Sequence, residues 1–396
     1  MGVLSRRRER RAAPIGANDI VARATADRLG AASATYVTPE SALQADGVWA
    51  AQTLVSSLGS FIPLNEIRER GEVRERLQLS SVFADPDPDP SIDALSFRSQ
   101  ILQSLASRGN AYATVLVDGS MRPVGMVSIH PESVVWKFDA GVWRTFVDGI
   151  ERRRWPLGDL WHVPINLQAG SPIGMDPINY HRGTLAPSLA ARKFGARFFD
   201  AGGLPIGFVE LDGTVNDPGE GGAKELKQKI VTALDGSREP IVLPSGIRFR
   251  EVQVNAEESQ FLETQRFGVE QAARIYFGGF PEMIGGSPSG GSQTYANLEQ
   301  RIQAFATLSL IPRYLAPLEQ ALSRLIPSGR KVVHNVNALS RGDLAARYQS
   351  YLASAQVQQM TGMPILTNDE IRALEDRPPL DRADFPAPTP APGGGM

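Results

Sequence analysis

In the segment 261–326, two helical patterns flank a stretch rich in Gly and Ser, and the rest of the fold must accommodate this arrangement. Residues 260–277 contain no Pro and place apolar side chains near one face, which predicts a helix. Residues 278–292 hold six glycines and two prolines. Helix propagation fails there because Gly costs backbone entropy and Pro lacks a donor, so we predict a loop.

After the loop a second apolar pattern begins, with Ser292 or Thr294 available as the N-cap residue. Apolar residues then recur every three or four positions, which predicts a helix; these are Ile302, Phe305, Leu308, Ile311, Leu315, Leu318, Leu322 and Leu325. Pro312 and Pro317 interrupt the run, so we expect one long, kinked helix.

The Gly-rich stretch GSPSGGSQT resembles a phosphate-binding loop in its glycine spacing. The Lys that would reach the phosphates is absent, and no β-branched strand precedes the stretch. The chain also offers no GxSxG word, no His pair and no cluster of metal ligands. We therefore predict that the protein is not an enzyme and binds no cofactor or metal.

The composition of the chain narrows the classes of protein to which it can belong. At 396 residues with 42% hydrophobic content, the chain is long enough for two or three compact units. Its 41 basic and 43 acidic residues nearly cancel, so no overall positive charge favours tight nucleic-acid binding. With no Cys, disulfides and thiolate metal sites are excluded. There is no apolar run of membrane-spanning length and no signal-peptide pattern, so we expect a soluble protein.

The first half of the chain reads as helices followed by antiparallel strands. Residues 1–45 open with SRRRERR, which predicts a solvated tail whose arginines could instead touch phosphates or an acidic partner. Residues 48–64 and 96–107 have helical spacing, and the strands that follow turn at Asp118 and Gly119. Residues 85–90, DPDPDP, lack the Gly and Glu of a calcium loop and predict a stiff, extended surface linker.

Three tryptophans, Trp143, Trp155 and Trp161, fall in a region of short predicted strands. Core packing is the preferred interpretation because half-buried strands use aromatic residues routinely. A base-stacking platform is the alternative, since basic residues lie nearby; these are Arg144, Arg152, Arg153 and Arg154.

The second half alternates long helices with a small insert. The pattern LAPSLAARKFGARFFDAGG predicts a helix closed by Gly202 and Gly203, which Pro187 is expected to shorten. Two strand patterns around a charged helix at 222–234 predict an α/β insert, and residues 343–361 predict a helix. Thr367 and Glu370 form a capping box for a last helix.

Several sequence motifs resemble, in order and spacing, those of the portal proteins of tailed double-stranded DNA bacteriophages. They are FLETQRF, ARIYFGGFPEMIG, TYANLEQRIQAF and IPRYLAPLEQAL, with Gly109 to Tyr112 and NDEIRALEDRPPLD as further matches. The resemblance covers about residues 48 to 380, and residues 179–187 fit it less well.

The resemblance implies an α+β portal-type fold that assembles as a ring. Its implied parts are a flexible basic tail (1–45), an α/β wing (46–170), a first stem helix region (171–203), a clip (204–257), a second stem helix (258–278), a tunnel loop (279–293), a long kinked wing helix and strand (294–340), crown helices (341–380) and a disordered tail (381–396).

The resemblance also implies the function. A passive ring, by analogy a dodecamer at the capsid vertex of the virion, would be assembled in the host cytoplasm and would carry double-stranded DNA driven by the terminase motor. Head-tail adaptors and a major capsid or scaffold protein would be further partners, with no membrane involved.

Two sets of residues are the expected functional sites. The tunnel loop is represented by Gly285, Gly286, Ser287, Ser289, Gly290 and Gly291. Docking of motor or adaptor at the clip is assigned to Lys224, Lys227 and Lys229. The alternatives are a DNA-modifying or nucleotide-using enzyme of virion morphogenesis and a cellular ring-forming scaffold.

Overall fold

The structure is a computed structural model that describes residues 15–16, 37–70, 73–200, 207–211, 247–251, 255–286, 295–336, 344–363, 365–375 and 377. The chain divides into two compact units, Met1–Asn335 and Val336–Met396.

The helices of the first unit include both short connecting helices and long ones. They are α1 (Pro39–Ala42), α2 (Asp46–Phe61), α3 (Ser81–Ala84), α4 (Ala94–Arg108), α5 (Pro177–Tyr180), α6 (Arg182–Asp200), α7 (Asn255–Phe277), α8 (Tyr295–Phe305) and α9 (Ala316–Ser323). The predicted helices at 48–64, 96–107 and 260–277 are confirmed as α2, α4 and α7, with ends shifted by a few residues.

The strands of this unit are β1 (Ile15–Gly16), β2 (Leu64–Arg70), β3 (Val73–Leu77), β4 (Asn110–Val117), β5 (Pro123–Ile129), β6 (Val134–Asp139), β7 (Val142–Val147), β8 (Ile150–Arg152), β9 (Leu160–Pro164), β10 (Gly207–Leu211), β11 (Ile247–Glu251) and β12 (Arg330–His334). They form antiparallel sheets in the orders β1-β6-β7-β8, β12-β2-β3, β5-β4-β9 and β10-β11. The antiparallel strands predicted after Gly109 are confirmed.

Strands β2 and β3 were not predicted from the sequence. The inward face of β2 carries Glu66, which is fully buried rather than apolar. Its carboxylate accepts hydrogen bonds from Ser80 and forms a 3.0 Å ion pair with Arg330 on β12. Because this charge is compensated inside the sheet, the strand forms without the usual apolar alternation.

Small residues bring α2 close to its neighbours. A Cβ on Gly59 would lie 2.7 Å from Cδ1 of Leu102 on α4, and a Cβ on Gly47 would lie 3.0 Å from Cα of Val269 on α7. A larger side chain at either position would push the helices apart, so α2 serves as the packing centre for α4 and α7.

The long helix predicted after the loop is continuous from α8 to α9. Its central part, Ala306–Leu315, is a π-helix, in which the Ala316 N–H donates to the Ile311 carbonyl five residues earlier. Pro312 lies inside this part. The irregularity expected at Pro312 is therefore present, and it takes the form of a wider helical turn.

Helix α6 differs from its prediction. It begins at Arg182 and runs through Pro187, which was expected to shorten it. Pro187 lies in the second turn, where it removes the bond that would reach the Gly183 carbonyl, and the rest of the helix continues. The break occurs earlier, at His181 between α5 and α6. The short helix α5 has its own N-cap, Asp176, which accepts from the Ile178 and Asn179 N–H groups.

The predicted tail and linker are also more ordered than expected. Residues 1–45 were predicted to be a solvated tail. Within them the structure has α1 with its Thr38 capping box, and Ala42 is fully buried. In the linker 85–90, Asp87 is 5% exposed, so part of this segment packs against the protein. Strands β10 and β11 confirm strand pairing in the insert, whereas the helix predicted at 222–234 lies outside the described residues.

The second unit contains α10 (Leu344–Thr361) and α11 (Asn368–Leu374). Its predicted capping box is confirmed, because the Thr367 N–H donates to Glu370 Oε2 at 2.8 Å and the Glu370 N–H donates to Thr367 Oγ1 at 3.2 Å. Tyr351 on α10 donates to the Glu375 carboxylate at 2.7 Å, which ties the two helices together.

Candidate functional site

The predicted loop residues fall at the edge of what the structure describes. Gly285 and Gly286 are described, and Ser287, Ser289, Gly290 and Gly291 lie outside the described residues, as do Lys224, Lys227 and Lys229 of the insert. The structure therefore shows how the loop leaves α7 and where α8 begins.

The chain leaves α7 through a turn that glycines make possible. Gly278, Gly279 and Phe280 all have positive φ, and a 3₁₀ turn follows at Pro281–Ile284. Gly285 has φ +83°, and the Gly286 N–H donates to the Pro281 carbonyl at 2.8 Å. Positive φ is unfavourable for a bulky residue, so Phe280 must be held by its surroundings.

An aromatic cluster holds Phe280 and joins both sides of the loop. Phe305, 1% exposed at the end of α8, meets Phe277 of α7 edge to face, with ring centroids 5.1 Å apart. Phe280 meets the same Phe305 ring at 5.7 Å. Edge-to-face pairs add stability beyond burial, so Phe305 fixes the two ends of the loop to each other.

An ion pair reinforces this attachment. Arg301 on α8 contacts Glu282 in the 3₁₀ turn at 3.0 Å, and the Glu282 side chain is only 8% exposed. Because water is largely excluded from the carboxylate, the loss of Arg301 would leave a nearly buried charge unpaired. We call this attachment, formed by Phe277, Phe280, Glu282, Arg301 and Phe305, the loop base.

The carboxyl end of α7 is capped from the π-helix. Arg313 Nη1 lies 3.2 Å from the Ile275 carbonyl oxygen and 3.3 Å from that of Tyr276, groups that lack partners within α7. The Tyr314 hydroxyl donates to the Tyr276 carbonyl at 3.1 Å. A positive charge at this helix end is also favoured by the helix dipole.

A chain of hydrogen bonds continues into the packing centre. Gln103 of α4 donates to Gln52 of α2, and Gln52 donates to the Tyr276 hydroxyl, each at 2.8 Å. Burial raises the pKa of Tyr276 and of Tyr314 well above the usual value, so both hydroxyls stay protonated. The start of the loop is thus attached to a buried, hydrogen-bonded part of the packing centre.

Arg313, Gln52 and the pair Glu282 and Arg301 were not predicted from the sequence. Their partners lie far away in sequence or are backbone carbonyls, which leave no residue pattern. The only sequence signal was the Arg directly after Pro312.

The motif Gly109 to Tyr112 has a structural role. Gly109 has φ +68°, and a Cβ there would lie 2.1 Å from the Met175 carbonyl oxygen. Asn110 is buried, donates to the Gly174 carbonyl at 2.9 Å and accepts from the Gly174 N–H at 2.8 Å. This exchange fixes β4 against the chain that leads into α5.

The core-packing interpretation of the tryptophans is confirmed for Trp161 and, in part, for Trp143. Trp161 is 2% exposed and donates to the Ala321 carbonyl at 2.9 Å. Trp143 is partly buried against the core and meets Trp136 edge to face. Trp155 is half-buried and donates to the Arg324 carbonyl at 2.9 Å.

Within the described parts of the chain, no three His, Cys, Asp or Glu side chains are grouped so as to hold a metal ion. None of the helices described is long and apolar enough to cross a membrane.

The family model described as phage portal protein matches residues 47–376 of this chain. The chain belongs to the phage portal protein family. The predicted portal fold and structural role at the capsid vertex are thereby confirmed.

Two curated relatives support the assignment. The probable portal protein of Streptomyces phage phiC31 is 30% identical over 373 residues, which covers 88% of this chain and 78% of that protein. The portal protein of Enterobacteria phage HK97 is 24% identical over 362 residues, which covers 88% and 82%, respectively.

Solved structures share the fold. An HK97-family phage portal protein from Corynebacterium diphtheriae matches with a TM-score of 0.57 at 15% identity over 76% of this chain and 96% of that one. A chain of a native gene transfer agent virion matches at 0.55 and 17% identity, covering 91% and 100%. A chain in the neck of that native particle, computed with C12 symmetry, matches at 0.51 and 17% identity with the same coverage.

Proposed function

We propose that twelve copies of this portal protein form a ring at the capsid vertex and that double-stranded DNA passes through its channel during packaging and ejection. The observation that carries the proposal is the loop base, which joins the start of a Gly-rich loop to the long helix that follows it. The C12 symmetry of the related neck supports the number twelve. Mass photometry of the purified chain tests the ring, and a monomer at all concentrations would refute it.

The loop, residues 279–293, is proposed as the constriction of the channel. Its glycines make the backbone easy to rearrange, and its sequence contains no Lys or Arg. Few phosphate contacts mean little counterion release and therefore little friction against moving DNA. Glu282, its one charged residue, is paired with Arg301 at the loop base.

Two loop variants test this role. Replacing Ser287 and Ser289 by Arg should make the loop adhere to DNA, and replacing Gly290 and Gly291 by Ala should stiffen it. In both cases we expect rings to form and the yield of filled capsids to change, with the defect of the Arg variant easing as salt rises. Normal packaging by both variants would reduce the loop to a connector.

The insert, residues 204–257, is proposed as the docking surface for the terminase motor and later for a head-tail adaptor. Reversing the charge of Lys224, Lys227 and Lys229 should weaken that binding and leave rings intact. A major capsid or scaffold protein is proposed as the partner at the capsid vertex.

The ring itself is passive, so purified protein should hydrolyse no ATP and cleave no DNA. Turnover that is abolished by one substitution would favour the alternative, an enzyme of virion morphogenesis.

A further inference from the structure

An open groove of about 1050 Å³ lies between the strands β7 and β9, the turn after β8, and helix α9. Its lining is rich in Arg and Trp and contains no Lys; the members used here are Arg153, Arg154, Arg324, Trp143, Trp155 and Leu157. We call it the arginine groove. None of its residues belongs to the loop base.

The charge of the arginine groove is only partly neutralised. Arg152 pairs with Asp159 at 3.0 Å, and Arg144 lies 3.5 Å from Glu151. By contrast, Arg153, Arg154 and Arg324 are exposed and form no ion pair with any residue that the structure describes. Arg154 instead stacks over Trp136, 5.2 Å from the ring centroid. The groove therefore has unbalanced positive charge beside aromatic surface.

The rim of the groove favours a protein occupant over nucleic acid. Leu157 is 82% exposed, Val142 61% and Leu167 54%. Exposed apolar residues around a core of Trp and Arg, with Lys missing, are typical of the centre of a protein interface.

A segment of matching chemistry lies elsewhere on the same chain. Residues 85–90, DPDPDP, expose Asp85 and Asp89 with Pro88 and Pro90, and we call them the acidic segment. Hydrogen bonds from Ser91 to Asp89 keep the pKa of Asp89 below its usual value, so that carboxylate stays ionised. Neither Asp85 nor Asp89 forms an ion pair within the described residues.

The two features lie at opposite edges of one sheet. The Pro86 carbonyl accepts from the Met126 N–H at 2.6 Å, which attaches the acidic segment to the outer edge of β5. The Leu160 N–H donates to the Arg153 carbonyl at 3.1 Å, which attaches the Arg-bearing turn to the outer edge of β9. Strand β4 lies between them in the order β5-β4-β9, so the acidic segment cannot fill the groove of its own chain.

Opposite flanks of one subunit meet when copies join head to tail. A heterologous contact of this kind, repeated until it closes, produces a ring. We propose that the arginine groove of each copy receives the acidic segment of the neighbouring copy, and that this contact forms part of the ring interface. This inference rests on the ring assembly proposed above.

Charge reversal tests the contact. The groove variant carries Arg153→Glu and Arg154→Glu, and the segment variant carries Asp85→Lys and Asp89→Lys. Each alone should raise the protein concentration needed for half-assembly at least about tenfold, because close interfacial charge pairs contribute strongly to binding. A matched control, Arg76→Glu with Arg122→Glu, changes two other exposed arginines and should assemble like the wild type.

An equimolar mixture of the two variants decides whether the groove and the acidic segment contact each other. In an alternating ring every reversed groove faces a reversed segment and every native groove faces a native segment, so rings should return to near wild-type concentrations. Native mass spectrometry should then count equal numbers of the two chains. Failure of the mixture to assemble, or rings from either variant at unchanged concentration, would overturn the proposal.

Crosslinking tests the proximity without reversing charges. The natural chain has no Cys, so Asp89→Cys and Arg153→Cys in one chain introduce the only thiols. A short bismaleimide should give a ladder of covalent oligomers from the double variant, with no ladder from either single variant. Wild-type rings without a ladder would refute the contact alone, whereas wild-type monomers would refute the ring. If rings of the groove variant stay intact but no longer bind DNA or an acidic peptide, the groove has another occupant and the proposal is overturned.

Discussion

Replacing Arg313 by Met should loosen the carboxyl end of α7, from which the loop leaves, without disturbing the fold around it. Arg313 donates to the Ile275 and Tyr276 carbonyls at 3.2 and 3.3 Å, and these carbonyls have no partner within α7. Hydrogen bonds from a charged donor contribute about 1.5–3 kcal/mol. Because both bonds are long, come from the same Nη1 atom and belong to a partly exposed side chain, we count them as one such bond and expect a loss of about 2 kcal/mol.

Hydrogen exchange measures this loss where it occurs. The Gly278 and Gly279 N–H groups donate to Arg274 and Ala273 in the last turn of α7, so they exchange when that turn opens. A loss of about 2 kcal/mol should speed their exchange roughly 30-fold. Arg313→Lys keeps the charge near the helix end but not the fork of donors, and should fall between the wild type and the Met variant.

The matched control is Arg266→Met, which changes an exposed arginine on the same helix with no ion pair among the described residues. It should leave exchange at Gly278 and Gly279 unchanged. If Arg313→Met speeds exchange there less than threefold, Arg313 is not the cap of α7 and the reasoning fails.

Three further predictions concern the support of the fold. Gly109→Ala should prevent folding, because its Cβ would lie 2.1 Å from a carbonyl oxygen at φ +68°, while Gly119→Ala, with open space around it, should fold normally in circular dichroism. Phe305→Ala should lower the free energy of unfolding in urea by about 3–5 kcal/mol; a loss under 1 kcal/mol would contradict its central place. Burial, with a smaller effect of Arg154, lowers the pKa of His162 to about 3 from 6.5. The unfolded chain then binds the proton first, so stability falls below pH 6.5, by about 1–2 kcal/mol at pH 5; this loss should be absent in His162→Gln.

The sequence predicted the elements whose residues repeat locally. Helix α7, the β4 and β5 hairpin and the Thr367 capping box all follow from spacing within a few residues. Strand β2 was missed because Glu66 takes a core position, where Arg330, 264 residues away, compensates it. The acidic segment was expected to be wholly exposed, yet Asp87 is buried, since only the fold brings β5 against it.

The candidate site also has parts that the sequence predicts and parts that it does not. The Gly-rich loop was predicted from composition, which reports backbone freedom directly. The cap of α7 was not predicted, because Arg313 acts on backbone carbonyls 37 and 38 residues earlier. The loop base was not predicted either, because Phe305 of α8 packs on Phe277 of another helix. Contacts of this kind have no sequence period, so they emerge only when the helices are packed.

Single-particle cryo-electron microscopy of the purified chain can show whether twelve copies form a ring with the Gly-rich loop in its channel. We predict particles of about 515 kDa, twelve times 42.9 kDa, with twelvefold symmetry. Residues 279–293 of every copy should surround the narrowest part of an open lumen. Particles without a lumen, or rings whose loops face outward, would contradict the account.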